Sequence, residues 1–293
     1  FLVADGSMIQ AYEESFEKYS IENGHFWTEK KMNNAQIQDI EDLGIKLYEN
    51  YYVEEALTNG STMRIFKNRD EVNKVCLMKG KMPEKPGEIG IDRMYADNND
   101  LSVGDEIESG GHTWKITGLV ALSDYSALFS NNNDSIFDSV KFGVSVVCPE
   151  EFDSYKADQL NYSYAWKYNT EPKNEKAEKD ISEDLMEDVA KEVTLEEFVP
   201  RYTNQAIIFT GDDMGGDRSM MIVLLYIIIV IMAFVFAITT SNTIRKEANV
   251  IGTLRASGYT RGELIRHYMA APVFVTFIGA IIGNVIGYTV GKD

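Results

Sequence analysis

The chain has 293 residues, of which 46 are acidic and 28 basic, and its formal net charge is −18. Residues 1–218 alone carry a net charge of −21, because they hold 43 of the acidic and 22 of the basic side chains. This balance excludes nucleic acid as a partner, since its binding needs a basic surface, and an apolar share of 44% argues against a disordered chain.

The first 59 residues are predicted to be rich in helix. A first helix is indicated by apolar residues at helical spacing, which are Met8, Ile9, Tyr12, Phe16 and Tyr19. Asn33 or Asn34 can cap a second helix, which is expected to end at Gly44. Residues 51–57 predict a third, shorter helix.

Residues 62–120 are predicted to form short strands separated by turns. Apolar and polar side chains alternate with the period of a strand at 62–66. Residues 75–78 and 88–92 are further strand candidates. A β-hairpin is predicted where 103–108 and 113–120 flank the glycine-rich turn 109–112.

Residues 123–217 complete the same domain. The predicted elements are a polar loop at 123–140, a strand at 143–148, a helix at 149–160, a strand at 162–168 and an amphipathic helix at 174–193. Residues 196–217 are predicted to lead to the membrane and to end in a polar run. The predicted fold is therefore an α+β domain over 1–218, a segment large enough to bury its own core.

Two uncharged runs predict transmembrane helices. They span 26 residues, 219–244, and 24 residues, 268–291, and a bilayer core needs about 20. Between them lie five Lys or Arg side chains and two Glu, and short basic loops stay in the cytoplasm, so residues 1–218 are expected outside it. The predicted segments are the extracytoplasmic domain 1–218, a membrane helix 219–243, a cytoplasmic coupling segment 244–267, a membrane helix 268–291 and a truncated end 292–293.

The coupling segment 244–267 is predicted to contain an amphipathic helix that projects from the membrane. As one helix, residues 219–257 would measure about 58 Å at 1.5 Å per residue, about 25 Å more than the bilayer core. The excess carries an apolar stripe that needs a protein partner, formed by Ile244, Ala248, Ile251 and Leu254. Gly258 is expected to end this helix, and Thr260 and Glu263 to begin the next one as a capping box.

Glycine recurs every four residues in the second predicted span, at Gly279, Gly283, Gly287 and Gly291. This spacing places small residues on one helix face, where another helix backbone can approach closely. The alternative is glycine tolerated in a helix that faces lipid. Neither uncharged run contains Asp, Glu, Lys or Arg, so the sequence indicates no charged permeation path.

A pattern of the form E-x-x-x-I-G-x-L-R-A-x-G begins the coupling segment. It is matched at Glu247, Ile251, Gly252, Leu254, Arg255, Ala256 and Gly258. In this pattern the chain resembles the FtsX-like permeases, the membrane subunits of ABC systems that include MacB and the lipoprotein-release permeases. Residues 86–89, 103–105 and 115–120 look like parts of the periplasmic core domain of that family.

The resemblance implies a MacB-like periplasmic core domain of α+β type followed by transmembrane helices, with one span expected before Phe1 and another after Asp293. It further implies a multi-pass protein of the cell membrane, in which permease modules pair as a homodimer or pseudo-dimer and a separate cytoplasmic ABC ATPase hydrolyses ATP. The residues expected to couple to that ATPase are Arg245, Glu247, Ile251, Gly252, Leu254, Arg255 and Gly258.

Other chemistry has little support in the sequence. It contains no G-x-x-x-x-G-K-[ST] phosphate loop, and His25, His112 and His267 lack the spacing of metal ligands. No nucleophile elbow or catalytic triad pattern indicates a hydrolase. We therefore expect a non-catalytic subunit without cofactor or metal. Cys76 and Cys148 fit either a disulfide outside the cell or two free thiols.

Three functions are compatible with these features. The first is a permease subunit that uses a partner's ATP hydrolysis to export a peptide, lipid or drug, or to extract a lipoprotein. The second is a mechanotransmission or sensing complex that activates an extracellular partner, such as a cell-wall hydrolase, without transport. The third is a membrane-anchored binding domain without an ATPase, which ranks last because it leaves the coupling segment without a partner. The sequence identifies no substrate.

Overall fold

The computed structural model describes residues 2–290. These residues divide into two compact units, a sheet unit, Tyr12–Gly211, and a helix unit that consists of residues 2–11 and 212–290. The sheet unit combines strands with helices, and the helix unit contains long apolar helices. The predicted fold class, an α+β domain with apolar helices that could span a membrane, is therefore confirmed.

Helices occur in both units. In chain order they are α1 (Leu2–Lys18), α2 (Asn34–Glu41), α3 (Arg93–Asn98), α4 (Pro149–Phe152), α5 (Glu175–Glu192), α6 (Gln205–Lys246), α7 (Ala248–Ala256) and α8 (Arg261–Val290). The strands lie in the sheet unit and are β1 (Gly24–Thr28), β2 (Ile45–Glu49), β3 (Tyr52–Ala56), β4 (Thr62–Lys67), β5 (Val75–Gly80), β6 (Glu88–Asp92), β7 (Glu106–Ser109), β8 (His112–Leu122), β9 (Phe142–Val147), β10 (Tyr162–Tyr168) and β11 (Leu195–Pro200).

The strands form two sheets. Sheet I has the order β11-β1-β10-β2, and all of its neighbouring strands are antiparallel. Sheet II has the order β3-β4-β9-β6-β8-β5, with β7 paired to β8. The predicted hairpin is confirmed as β7 and β8, and its turn places Gly110 and Gly111 at φ 56° and 84°. Positive φ at both positions is what a two-residue type I′ turn requires.

One hydrophobic core contains side chains from both sheets. Sheet I contributes Phe26 and Trp166, and sheet II contributes Ile65 and Trp114, each at most 1% exposed. Trp166 of β10 also stacks on Phe198 of β11, with 4.6 Å between ring centroids. Large aromatic rings bury much apolar area per residue, so these rings fix the two sheets against each other within the sheet unit.

The predicted helix at 51–57 is wrong. Residues Tyr52–Ala56 form β3, which pairs antiparallel with β4. The buried side chains of β3, Tyr52 and Val53, are adjacent instead of alternating, so the strand shows no period-two pattern. Its conformation is decided by pairing with Phe66 and Ile65 on β4, because strand formation depends on cross-strand packing more than on local preference.

Residues 196–217, which were predicted to lead to the membrane and to end in a polar run, contain regular secondary structure. Leu195–Pro200 is β11, which pairs with β1, and α6 already begins at Gln205. The polar segment 211–217 is helical and includes the adjacent residues Gly215 and Gly216. Once a helix is nucleated, each further residue adds a hydrogen bond, so a polar segment next to a long apolar helix can extend it.

Shorter elements account for the remaining differences. The predicted helix at 149–160 is reduced to α4, which ends at Phe152, and β1 and α3 had no predicted counterpart. α3 has only 6 residues, too few for a periodic signal, and begins because the Asp92 side chain accepts hydrogen bonds from two backbone N–H groups. Within residues 2–290 Cys76 and Cys148 are free thiols.

Candidate functional site: the coupling segment and the membrane helices

Within residues 2–290 two helices are long and apolar enough to cross a membrane, α6 and the part Arg261–Thr289 of α8. α6 has 42 residues, which correspond to about 63 Å at 1.5 Å per residue. A bilayer core is about 30 Å thick. α6 is therefore longer than a span requires, and its excess includes residues 205–218, before the uncharged run.

The coupling segment does not form one uninterrupted helix with the first span, as predicted for 219–257. α6 ends at Lys246 and α7 begins at Ala248, with Glu247 between them at φ −96° and ψ 13°. The backbone hydrogen bonds from Glu247 to Thr243 and from Ile251 to Glu247 still follow the helical i to i−4 pattern, at 3.1 and 2.9 Å. The interruption is therefore a local irregularity at one residue, with helix on both sides.

Tyr268 of α8 holds the irregular residue in place. Its hydroxyl donates a hydrogen bond to the carboxylate of Glu247, and this links the start of α7 to α8. Sequence reasoning assigned Tyr268 only to the beginning of an uncharged run. A tyrosine at the border of a membrane span commonly combines an apolar ring with a polar tip, and this signal could have identified it.

The predicted apolar stripe of the coupling segment is only partly covered. Ile251 and Leu254 are half-buried, whereas Ile244 and Ala248 are exposed. Val250 on α7 is also 54% exposed. Arg255 forms no ion pair with any residue in 2–290, so α7 presents both apolar and cationic groups to its surroundings.

The turn between α7 and α8 is closed by backbone hydrogen bonds. Gly258 has φ 100°, a conformation that favours glycine. Its N–H bonds the carbonyl of Arg255 at 3.2 Å, and the N–H of Tyr259 bonds that of Leu254 at 3.1 Å. This is the Schellman arrangement of a helix C-terminus, so the predicted helix end at Gly258 is confirmed.

α8 begins with the predicted capping box. The hydroxyl of Thr260 accepts from the backbone N–H of Glu263 at 3.3 Å, and the Glu263 carboxylate accepts from the backbone N–H of Thr260 at 2.8 Å. These bonds satisfy donors that a helix N-terminus otherwise leaves free. Both ends of the turn are thus fixed, and four residues, 257–260, separate the two helices.

The glycine stripe of α8 faces open space among the described residues. An added Cβ at Gly279, Gly283 or Gly287 would meet nothing within 4 Å, and the same holds for Gly252 of α7. Gly291 lies outside the described residues. The packing role predicted for this stripe stays a prediction, since residues 2–290 contain no helix that covers it.

The C-terminal part of the chain is similar to a known protein family. Residues 222–293 match the family described as FtsX-like permease C-terminal. The match covers α7, α8 and most of the first apolar run, and therefore includes the residues of the E-x-x-x-I-G-x-L-R-A-x-G pattern. No curated protein matches the chain.

Several solved structures are similar to part of the chain. The periplasmic region of MacB from Actinobacillus actinomycetemcomitans is 10% identical, covers 58% of this chain and 86% of its own, and has a TM-score of 0.32. The extracellular domain of the noncanonic ABC-type transporter YknZ from Gram-positive bacteria is 11% identical, with coverages of 57% and 92% and a TM-score of 0.33.

A putative lipoprotein from Bacillus anthracis is 12% identical, covers 60% of this chain and 96% of its own, and has a TM-score of 0.30. At such TM-scores the similarity carries no argument about mechanism. The α+β assignment of the sheet unit depends on its own strands and helices.

Proposed function

We propose that the chain is the permease subunit of an FtsX-like ABC system, in which a separate cytoplasmic ATPase moves an extracytoplasmic domain formed by residues 1–218. The observation that carries this proposal is the family match over 222–293. It fits a chain that joins an acidic α+β unit to helices able to cross a membrane. We expect this subunit to lie in the cell membrane and to pair there with a second permease module.

The distribution of basic residues supports this orientation. Five Lys or Arg side chains lie between the two uncharged runs, namely Arg245, Lys246, Arg255, Arg261 and Arg266. Short loops rich in Lys and Arg remain in the cytoplasm. The α7 segment would then lie on the side of the membrane where ATP is hydrolysed, and residues 1–218 on the other side.

We assign the contact with the ATPase to α7 and its flanking residues. Arg255 has no ion-pair partner in 2–290, and Val250 is largely exposed. Interfaces are dominated by a few apolar or arginine side chains that become buried on binding. Gly252 leaves one side of α7 open, so a partner backbone could approach closely there. The full set assigned to coupling is Arg245, Glu247, Ile251, Gly252, Leu254, Arg255 and Gly258.

Charge reversal at α7 tests this assignment. The variants Arg255→Glu and Leu254→Asp are reconstituted in nanodiscs with the nucleotide-binding subunit that co-purifies with the wild-type chain. Each should weaken binding of that subunit about tenfold or more, because loss of one central interface contact typically costs above 1 kcal/mol. Stimulated ATP hydrolysis should fall in parallel. Lys141→Glu, an exposed charge reversal in the sheet unit, is the matched control. Unchanged ATPase binding in both α7 variants would exclude this contact.

A second function, mechanotransmission without transport, is favoured by one observation. The uncharged runs 219–244 and 268–291 contain no Asp, Glu, Lys or Arg, and ionisable residues inside spans commonly mark solute or ion pathways. In this case the helices would relay ATPase movement to an extracellular partner, such as a cell-wall hydrolase. ATP-dependent efflux of candidate peptides, lipids and drugs from proteoliposomes would support transport. ATP-dependent capture of a soluble extracellular enzyme, without efflux, would support the relay.

A further inference from the structure

A cavity of about 200 Å³ lies within the sheet unit, bordered by both sheets. Strands β1, β10 and β11 of sheet I line one side, and β3 and β4 of sheet II line the other. Residues of the loop 124–132 and Asn204 contribute the remaining wall. Pockets for drug-sized ligands usually measure about 300–1,000 Å³. This smaller cavity therefore suits a single ring or side chain.

Sheet I presents one cross-strand row of side chains to the cavity. Trp27 of β1 lies directly opposite Ser163 of β10 and Glu197 of β11, and opposite residues project from the same sheet face. The register of β1 and β11 shifts between Trp27 and Thr28, which leaves Glu196 as an extra residue. Such bulges re-aim side chains. Glu196 and Glu197, here called the bulge pair, consequently both line the cavity, although neighbours in a regular strand point to opposite faces.

The basic side chains on the cavity wall are already paired, His25 with Glu22 and Arg64 with Glu54. Arg64 donates to the carboxylate of Glu54 from Nε at 2.9 Å and from Nη2 at 2.6 Å. Asp124, also on the wall, accepts from both terminal nitrogens of Arg69 at 2.7 Å. The bulge pair, in contrast, forms no ion pair with any residue in 2–290. The cavity therefore has two free carboxylates and no free cation among its described residues.

Buried hydrogen-bonding groups on the same wall lack protein partners in 2–290. The indole N–H of Trp27 is buried and has no hydrogen bond. Ser163 is 2% exposed, and its hydroxyl bonds no residue in 2–290. Asn50 and Asn204 are each 5% exposed. Their side-chain oxygens accept from an arginine and from a backbone N–H, and their amide nitrogens donate to no residue in 2–290. A buried donor without a partner is unfavourable, and acceptors on a ligand would satisfy these groups.

These groups restrict the chemistry of a ligand. The free carboxylates repel an anion. A simple cation leaves the amide and indole donors without an acceptor, and an apolar ligand satisfies neither the carboxylates nor the donors. The carboxylate of a zwitterion would find no free arginine, because Arg64 is engaged by Glu54. A hydroxyl group both donates and accepts, and so matches donors and carboxylates together.

We propose that this cavity binds one neutral, polyhydroxylated ring, the monosaccharide unit of a glycan. Its hydroxyl groups donate to the bulge pair at the exposed rim and accept from Ser163 and the free amides deeper in the cavity. The apolar face of the ring packs on the aromatic walls formed by Trp27 and Phe66. This binding site goes beyond the coupling role of α7 and is independent of it.

Saturation-transfer NMR with the full chain in nanodiscs tests the ligand class. The probes are neutral mono- and disaccharides, including glucose, galactose, mannose and N-acetylglucosamine, with free lysine, glutamate and glycine as charged comparators at equal concentration. We expect transfer to at least one neutral saccharide and none to the charged comparators. Transfer to no saccharide, or equal transfer to lysine or glycine, would overturn the proposal.

Side-chain variants then locate the binding. Ser163→Ala and Trp27→Phe each remove one predicted hydrogen bond, and Glu197→Gln removes the charge that strengthens another. Each change should weaken saccharide binding about 2- to 12-fold. The groups removed have no hydrogen bond within 2–290, so thermal unfolding should stay close to that of the wild type. Glu183→Gln, an exposed carboxylate on α5 away from the cavity lining, is the control. Wild-type affinity in all three cavity variants would place the saccharide elsewhere and refute this site.

Discussion

Glu247 accepts a hydrogen bond from the Tyr268 hydroxyl, and the two residues are 21 positions apart in the chain. Glu247 is the residue between α6 and α7, and Tyr268 belongs to α8, so the bond connects helices on both sides of the coupling segment. Together with the closed turn at 257–260, this bond defines the path of the chain around α7. A movement of α7 relative to α8 would have to break or stretch it.

Tyr268→Phe should loosen this connection. The substitution keeps the aromatic ring and removes one hydrogen bond, which contributes about 0.5–1.5 kcal/mol. We expect ATPase stimulation in the reconstituted complex to decrease about 2- to 12-fold if the bond transmits movement. Tyr226→Phe on α6, whose ring is 65% exposed, is the control. Equal stimulation by the wild type and Tyr268→Phe would show that the bond has no part in coupling.

Gly258→Ala should destabilise the turn between α7 and α8, whereas Gly252→Ala should not. Gly258 has φ 100°, and a side chain in a left-handed conformation costs about 1–2 kcal/mol. Gly252 is helical with nothing within 4 Å of an added Cβ, where alanine gains about 0.5–1 kcal/mol. Trypsin cleavage at Arg255 and Arg261 in nanodiscs should therefore accelerate in the first variant only. Equal cleavage rates would contradict the backbone argument.

Asp92 should make the sheet unit less stable at neutral pH than at acidic pH. Burial raises the pKa of Asp92 to about 6 from an ordinary 3.8, although hydrogen bonds from the backbone N–H groups of Tyr95 and Met94 oppose the rise. Stability from this group is therefore fully present below about pH 4 and is lost as the pH rises through 6.

Asp92→Asn removes this titration and retains a side-chain oxygen that can cap α3. At pH 7 to 8 it should be more stable than the wild type by up to about 3 kcal/mol, and the difference should shrink toward zero near pH 4. Urea unfolding of the chain at several pH values, followed by tryptophan fluorescence, measures this. A difference that grows as the pH falls would have the wrong sign and would reject the assignment.

Asp124→Asn should lower the free energy of unfolding far more than Asp153→Asn. Asp124 and Arg69 have side chains 5% and 7% exposed, so loss of one carboxylate leaves a buried cation uncompensated, at a cost of about 3–5 kcal/mol. Asp153 pairs with Lys67 at 2.9 Å on the surface, and such pairs contribute about 0–1 kcal/mol. Midpoints of urea unfolding at pH 7 compare the two. Similar shifts would mean that solvent screens the Asp124 pair.

Local signals in the sequence were sufficient for several helix ends and for the apolar runs. Asn33 caps α2, and its predicted role is confirmed by a complete capping box with Gln36. Gly258 and the pair Thr260 and Glu263 were identified in the same way. Each of these signals depends on residues a few positions apart, so it survives without knowledge of the tertiary fold.

Features that depend on distant pairing were not predictable. The cavity row consists of Trp27, Ser163 and Glu197, which come from three separate strands and become neighbours only through the register of sheet I. β11 was missed for the same reason, since its pairing with β1 decides its conformation. The bulge at Glu196 results from a one-residue shift in that register. Neither the composition nor the hydrophobic periodicity of the sequence reveals such a shift.

Gly215 and Gly216 lie side by side in α6, with nothing within 4 Å of an added Cβ at either position. Each glycine makes a helix about 1 kcal/mol less favourable than alanine would. The pair is thus the place in α6 where bending or local fraying requires the least free energy, just before the apolar run begins. Local opening of α6 at this pair would leave the backbone hydrogen bonds of the apolar run that follows intact.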